Sequence, residues 1–200
     1  MRGKPPLSDR SSISQLQLSS NTLFLLLKIT NIYSIDMDRI FLLDASGSMF
    51  SRLEDAIGSF NSFVASQSGG TMTLYTFNDD CTCIYKNKSL DTVEPLTKET
   101  YVPGGSTALY DSIAEVLNTH DHEGILVIMT DGEENSSIKY TKAHVKDLIK
   151  FSKLQIIYAG VDIDDAKDLG IKTTYYYDGA NTPDMMNTLS VEVASRSQTQ

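Results

Sequence analysis

Asp44, Ser46 and Ser48 alternate with Ala45 and Gly47, so a carboxylate and two hydroxyls stand on a stretch of backbone that can turn tightly. They follow Ile40 to Leu43, an apolar run suited to a strand buried on both faces, as parallel strands of α/β sheets are. Open α/β sheets place their ligand sites at the carboxyl ends of such strands. All three side chains offer oxygen. Oxygen donors on a rigid turn suit a hard cation such as Mg²⁺, which takes about six oxygens at about 2.0–2.1 Å and commonly keeps some waters.

More oxygen is needed to complete such a site, and two later stretches supply it. Pro103-Gly104-Gly105-Ser106-Thr107 is a glycine-rich loop opening a helix, able to deliver the Thr107 hydroxyl at the first turn. Gly124 to Thr130 is a second continuous apolar strand, and it ends in Asp131-Gly132. Taken singly, these pieces are ordinary turn and cap residues, because Ser, Thr and Asp satisfy free backbone donors at such places. Their joint position, at strand ends or at the start of a connecting helix, favours a shared ligand.

Asp44-x-Ser46-x-Ser48, the later Thr107 in Gly-Ser-Thr-Ala-Leu, and Asp131 in Thr-Asp-Gly resemble the metal-ion-dependent adhesion site (MIDAS) of von Willebrand factor type A (vWA) domains. The resemblance runs from about Asp38 to Arg196 and keeps the family's motif order. It implies Ser46, Ser48 and Thr107 as direct or near-direct ligands of Mg²⁺ or Mn²⁺, with Asp44 and Asp131 bound directly or through water. Three hydroxyls are neutral, so at most two carboxylates offset the ion. The resemblance therefore implies an electrophilic ion whose open position takes an Asp or Glu carboxylate from a partner protein. Stand-alone domains of this type inside cells resemble accessory parts of larger assemblies. A non-enzymatic, intracellular (cytoplasmic) binding module is thus expected.

Competing chemistries fit less well. Haloacid dehalogenase-type phosphatases also end a buried first strand in an Asp and use Mg²⁺, but they place a second Asp two residues on as general acid. Here that position is Ser46, and Asp36-Met37-Asp38 has the spacing at the wrong end of the strand. Asp131, Glu133, Asn135 and Ser137 mimic the start of an EF-hand loop, yet Ser136 stands where glycine is needed and Lys142 where glutamate is. The Gly104 loop lacks the Lys and spacing of a P-loop. His120-Asp121-His122 could hold a metal, but its acidic, polar surroundings read as a solvated turn.

Helices and strands alternate around these motifs. Leu53, Ala56, Ile57, Phe60, Phe63 and Val64 recur at helical spacing, with Glu54 and Asp55 in the first turn to complement the helix dipole. Thr71 to Asn78 and Cys81 to Lys88 read as strands around an Asp79-Asp80 turn, which makes the second an antiparallel edge strand bearing Lys86 and Lys88. Leu90 to Val102 reads as a linker. The helix after it shows Leu109, Ile113, Val116 and Leu117 on one face and stops near His120. A helix from about Lys139 to Ser152, a strand from Leu154 to Gly160, a short helix from Asp164 to Leu169 and a strand around Thr173 to Tyr177 follow. Pro183 opens a closing helix. The expected class is doubly wound α/β, Rossmann-like, with a mostly parallel central sheet, one antiparallel edge strand and helices on both faces.

Composition narrows the partners. The 200 residues are 40% hydrophobic and 22% charged, as in an ordinary globular domain. A formal charge of −9 argues against nucleic acid, whose phosphates need clustered Lys and Arg. Cys81 and Cys83 sit awkwardly for a bridge within one strand and read as free thiols of a reducing compartment. Residues 1–36 are rich in Ser, Gln and Asn, and their apolar patch, Leu23 to Leu27, is cut by Lys28. That patch is too short for a secretory signal or for the roughly 20 residues of a membrane span. A poorly ordered leader over residues 1–36 and a vWA domain over residues 37–197 are expected, with no membrane partner.

Overall fold

The computed structural model describes residues 37–177 and 182–196, and the expected leader lies outside the described residues. Strand β1 (Asp38–Asp44) is buried along its whole length. It pairs in parallel with β2 (Thr71–Phe77) on one side and β4 (Gly124–Thr130) on the other. β3 (Cys81–Ser89) runs antiparallel beside β2, and β5 (Leu154–Gly160) and β6 (Thr173–Tyr176) extend the parallel part beyond β4. The six-stranded order is β3-β2-β1-β4-β5-β6. The chain leaves β1 toward one edge and later builds from β4 toward the other, so the switch point lies between β1 and β4. A crevice therefore opens at their carboxyl ends, where Asp44 and Asp131 stand.

The continuous apolar runs of β1 and β4 follow from the two faces they must cover. Phe41, Leu43, Ile125, Val127 and Met129 pack on one face with Ala56, Phe60 and Phe63 of helix α1 (Leu53–Ser66) and Leu189 and Val193 of the closing helix (Thr182–Arg196). Ile40, Leu42, Leu126 and Ile128 pack on the other face with Ile113 and Val116 of α2 (Leu109–Thr119) and Val145 of α3 (Lys142–Phe151). A short helix, α4 (Ile163–Asp168), joins β5 to β6, and the closing helix is α5. This is the doubly wound α/β architecture with helices on both faces and β3 as the antiparallel edge.

Some boundaries differ from expectation, each for a local reason. α3 begins at Lys142 instead of Lys139 because the Asp111 carboxylate accepts the backbone N–H groups of Ile138, Lys139 and Tyr140 and holds them as a loop. Thr141 then caps the helix by accepting from the His144 N–H. β1 begins at Asp38, ahead of the apolar run, because Arg39 can be buried there with its guanidinium donating to the Met37 and Gly69 carbonyls. Tyr177 has left β6 and is fully buried. The linker after β3 contains a 3₁₀ turn, Leu90–Thr92, and is clasped to α1 by two bonds between Asn61 and the Leu96 backbone. β3 departs from regular pairing near Met72 and Leu74, and Asn87 opposite adopts φ 51°. Cys81 and Cys83 are both free. Among the described residues no helix is long and apolar enough to cross a membrane.

Candidate metal centre at the carboxyl end of the sheet

β1 ends at Asp44, whose carboxylate is buried and held at both oxygens. Oδ1 accepts the Ser46 N–H at 2.6 Å, and Oδ2 accepts the Thr130 hydroxyl from the end of β4. Burial pushes the Asp44 carboxyl above its ordinary value, outweighing the hydrogen bonds from Thr130 and Ser46, and the nearby Asp131 charge adds to the rise. The turn after Asp44 is a 3₁₀ segment, Gly47–Arg52, which presents Ser46 and Ser48 side by side with their hydroxyls 3.0 Å apart. Ser48 is exposed and donates to Asp131 Oδ1 at 2.7 Å, across the gap between β1 and β4.

Backbone bonds fasten the glycine-rich loop to this turn. The Gly47 N–H donates to the Gly105 carbonyl at 3.0 Å, and the Gly104 N–H to the Ala45 carbonyl at 2.8 Å. Gly105 has φ 75° and lies so close to Asp79 that a Cβ would collide with that carboxylate, so only glycine serves there. Asp79 in turn accepts the Ser106 N–H at 3.1 Å. The result places the buried Thr107 hydroxyl beside the Asp131-Gly132 turn. A Cβ built on Gly132 would sit 3.1 Å from Thr107 Oγ1, 3.5 Å from Ser48 Oγ and 3.6 Å from Asp44 Oδ2. Oxygens from three separate stretches thus surround one small space that a side chain at residue 132 would fill. Ser46 and Asp131 join this group through Ser48. All five residues singled out in the sequence are brought together.

The other residues of the site were harder to foresee. Tyr101 and Arg52 stood in no motif, Thr130 entered only as the residue before Asp131, and Asn135 only within the run that mimics an EF-hand. The Tyr101 hydroxyl donates to the Asp44 carbonyl and fixes the end of β1. Arg52 Nε donates to Asp131 Oδ2 at 2.8 Å, and the guanidinium lies 5.9 Å from the centre of the Tyr177 ring. Asn135 clamps Thr107 from both sides: its Oδ1 accepts the Thr107 N–H at 2.9 Å and its own N–H donates to the Thr107 carbonyl at 3.0 Å. Glu134 and Ser137 accept the Tyr110 and Asp111 N–H groups at the start of α2. The stretch that mimics an EF-hand is therefore a helix-capping loop. A dense run of Glu, Asn and Ser directly after Asp131-Gly132 was the available signal for it.

Asn135→Ala is expected to strand the Thr107 N–H. The cost to folding is about 1–3 kcal/mol, since that donor is part-buried. Loss of a residue that orients a metal ligand typically costs about 10–100-fold in affinity, so Mg²⁺ binding should weaken by that range. Thermal unfolding and calorimetric Mg²⁺ titration of the variant check both; unchanged affinity would show that the clamp does not position Thr107.

Sheet order and the switch-point crevice are those of a vWA-type fold. No protein-family model matches the sequence, and no curated protein matches it. Solved structures do match the fold. It is similar to the ArnB paralog VWA2 from Sulfolobus acidocaldarius, with 19% identity and a TM-score of 0.58 over 76% of this chain and 44% of that one. It is similar to proximal thread matrix protein 1 from the mussel byssus, in a structure with a zinc-occupied MIDAS motif, with 16% identity and a TM-score of 0.60 over 79% of this chain and 46% of that one. The manganese-loaded TRAP protein of Plasmodium vivax matches with 17% identity and a TM-score of 0.56 over 76% of this chain and 72% of that one. The chain spans less than half the length of the first two. At these identities the likeness establishes the fold.

Proposed function

We propose that this chain is a Mg²⁺- or Mn²⁺-dependent protein-binding module. Ser46, Ser48 and Thr107, with Asp44 and Asp131, would hold the ion directly or through water. When bound, the ion supplies an electrophilic position for an Asp or Glu carboxylate of a partner protein. The observation that carries this reading is the set of Thr107, Ser48 and Asp44 oxygens gathered around Gly132. The donor set is all oxygen, as these hard cations prefer. Arg52 already offsets part of the Asp131 charge, so the site remains short of negative charge and favours an acidic ligand from outside.

Two apolar side chains stand in the segments that form the crevice. Phe50, just after Ser48, and Val102, just before the glycine-rich loop, are 72% and 70% exposed. They would give a partner apolar contact beside its carboxylate. Phosphoryl transfer is less well supported. Ser46 stands where a general acid would be needed, two residues after the buried Asp44. We take residues 37–197 as the functional unit. Its proposed role is that of an accessory or assembly subunit inside the cell, a setting suited to the free thiols of Cys81 and Cys83.

Calorimetry of the full chain tests the metal step. Saturable Mg²⁺ or Mn²⁺ binding is expected, weakened by more than about 100-fold in Thr107→Ala, since losing a ligand should exceed the loss from an outer residue. Absence of binding, or unchanged affinity in the variant, would refute the proposal. Partner capture from native lysate should then require Mg²⁺, stop on adding chelator, and be competed by a Glu-containing peptide.

A further inference from the structure

At the other end of β1, away from the crevice, Asp38 faces two histidines from the connection between α2 and β4. His122 Nε2 lies 3.0 Å and His120 Nδ1 3.6 Å from Asp38 Oδ2. Ligand atoms of the three residues all lie within 4.8 Å of one another. The sequence suggests a solvated turn here, and Asp121 is indeed exposed, but the His120 side chain is wholly buried. Its Nδ1 has no hydrogen-bond partner. Buried polar atoms are rarely left unmet. A plain His122–Asp38 pairing would account for His122 and leave the His120 nitrogen unexplained.

We propose that Asp38, His120 and His122 form a second metal site, selective for Zn²⁺ or a similar borderline transition-metal ion. Two imidazoles and one carboxylate are a zinc donor set, whereas Mg²⁺ prefers oxygen alone. With zinc bonds of about 2.0–2.1 Å, tetrahedral ligand atoms stand about 3.3 Å apart. The 3.0 and 3.6 Å separations bracket that edge. Neighbouring hydroxyls orient these side chains, as hydrogen bonds to the far side of a ligand do at metal sites. Thr71 and Thr73 hydroxyls lie 3.2 and 3.4 Å from Asp38 Oδ1, which leaves Oδ2 facing the imidazoles. The Tyr75 hydroxyl lies 3.0 Å from His120 Nε2, so a proton on that nitrogen leaves the Nδ1 lone pair for the ion.

His122 is 48% exposed, so the ion can enter from solvent and a water can complete the tetrahedron. Lys86, whose charge acts on His120, opposes a cation and moderates the affinity. Once filled, the site ties the first residue of β1 to the α2–β4 connection. It is independent of the oxygen site in both location and chemistry.

The test uses the full chain, stripped with chelator and held in saturating Mg²⁺ so that the oxygen site is occupied. Titration with Co²⁺ should produce the intense visible absorption of a tetrahedral centre, and Zn²⁺ should displace it. His120 is buried and its replacement risks the fold, so the decisive variant is His122→Ala at a half-exposed position. That variant should lose the band and weaken Zn²⁺ binding by more than about 100-fold, while Asp44→Ala keeps both. No band in the unmodified chain, or equal Zn²⁺ affinity in His122→Ala, overturns the proposal. Loss of the band in Asp44→Ala also overturns it, by placing the ion at the oxygen site. Mg²⁺ binding is read separately, so failure of one site leaves the other standing.

Discussion

Asp44→Asn is expected to stabilise the ion-free protein and to abolish its response to Mg²⁺. Asparagine keeps an oxygen for the Ser46 N–H, and its amide can donate to Thr130, whose hydroxyl also reaches the Gly132 carbonyl at 3.2 Å. No buried group is left unmet. What disappears is a desolvated negative charge, the first cause of the raised Asp44 carboxyl. Because its folded value lies above the unfolded one, Asp44 contributes stability fully below the unfolded value and loses it as pH rises through the folded value. Above the folded value the wild type bears that loss and the neutral variant does not. A gain of about 0.5–2 kcal/mol is expected, as for other stabilising substitutions, shifting the midpoint by about 2–4 °C per kcal/mol. On acidification the wild-type carboxyl takes up a proton and the difference should vanish. If Asp44 holds the ion as proposed, the variant also lacks that charge, so Mg²⁺ should no longer raise its melting temperature. A variant less stable than wild type in chelator across the pH range in which the wild type is folded, or one still stabilised by Mg²⁺, would contradict the account.

The largest loss of stability is expected from Phe41→Ala. Phe41 is fully buried at the middle of β1, its ring edge-on to Phe60 at 5.3 Å and tilted against Phe63 at 5.4 Å between centroids. Truncating a buried Phe costs about 3–5 kcal/mol through lost transfer energy and the cavity left behind. Whole domains are stable by only about 5–15 kcal/mol, so this one change should remove a large fraction. Urea unfolding should show a lower midpoint with an unchanged slope, since the surface exposed on unfolding is nearly the same. Because β1 also carries Asp44, the variant should bind Mg²⁺ with near-normal affinity while folded but unfold well below the wild-type temperature. A loss under about 1 kcal/mol would mean that neighbouring side chains collapse into the space.

The fold was legible because β1 and β4 alternate their side chains between two apolar layers, which writes them as unbroken hydrophobic runs. The residues of the candidate metal centre were legible because each stands next to such a run or to a glycine-rich turn. Neither rule reaches Tyr101 or Arg52, whose partners lie far away in sequence and depend on how loops return over the sheet. Thr130 hid as the last letter of an apolar strand, although a lone hydroxyl there, buried against Asp44, is a hint in retrospect. His120 was misjudged because its sequence neighbours are polar, while its structural neighbours are Asp38 and Tyr75 from two strands. The start of α3 was misplaced because a carboxylate on another helix, Asp111, competes for its backbone donors.

The two outer strands of the sheet limit how a partner can approach. β3 is irregular, turns through a left-handed residue at Asn87 and carries Lys86 and Lys88, while β6 at the far edge is only four residues long. Each is a feature by which proteins prevent a foreign strand from extending a sheet. Recruitment by backbone zippering, as in domains that capture extended peptides along an open rim, is therefore disfavoured at either flank. Whatever associates with this domain must recognise it through side chains and loops, which leaves selectivity to the chemistry of its ends.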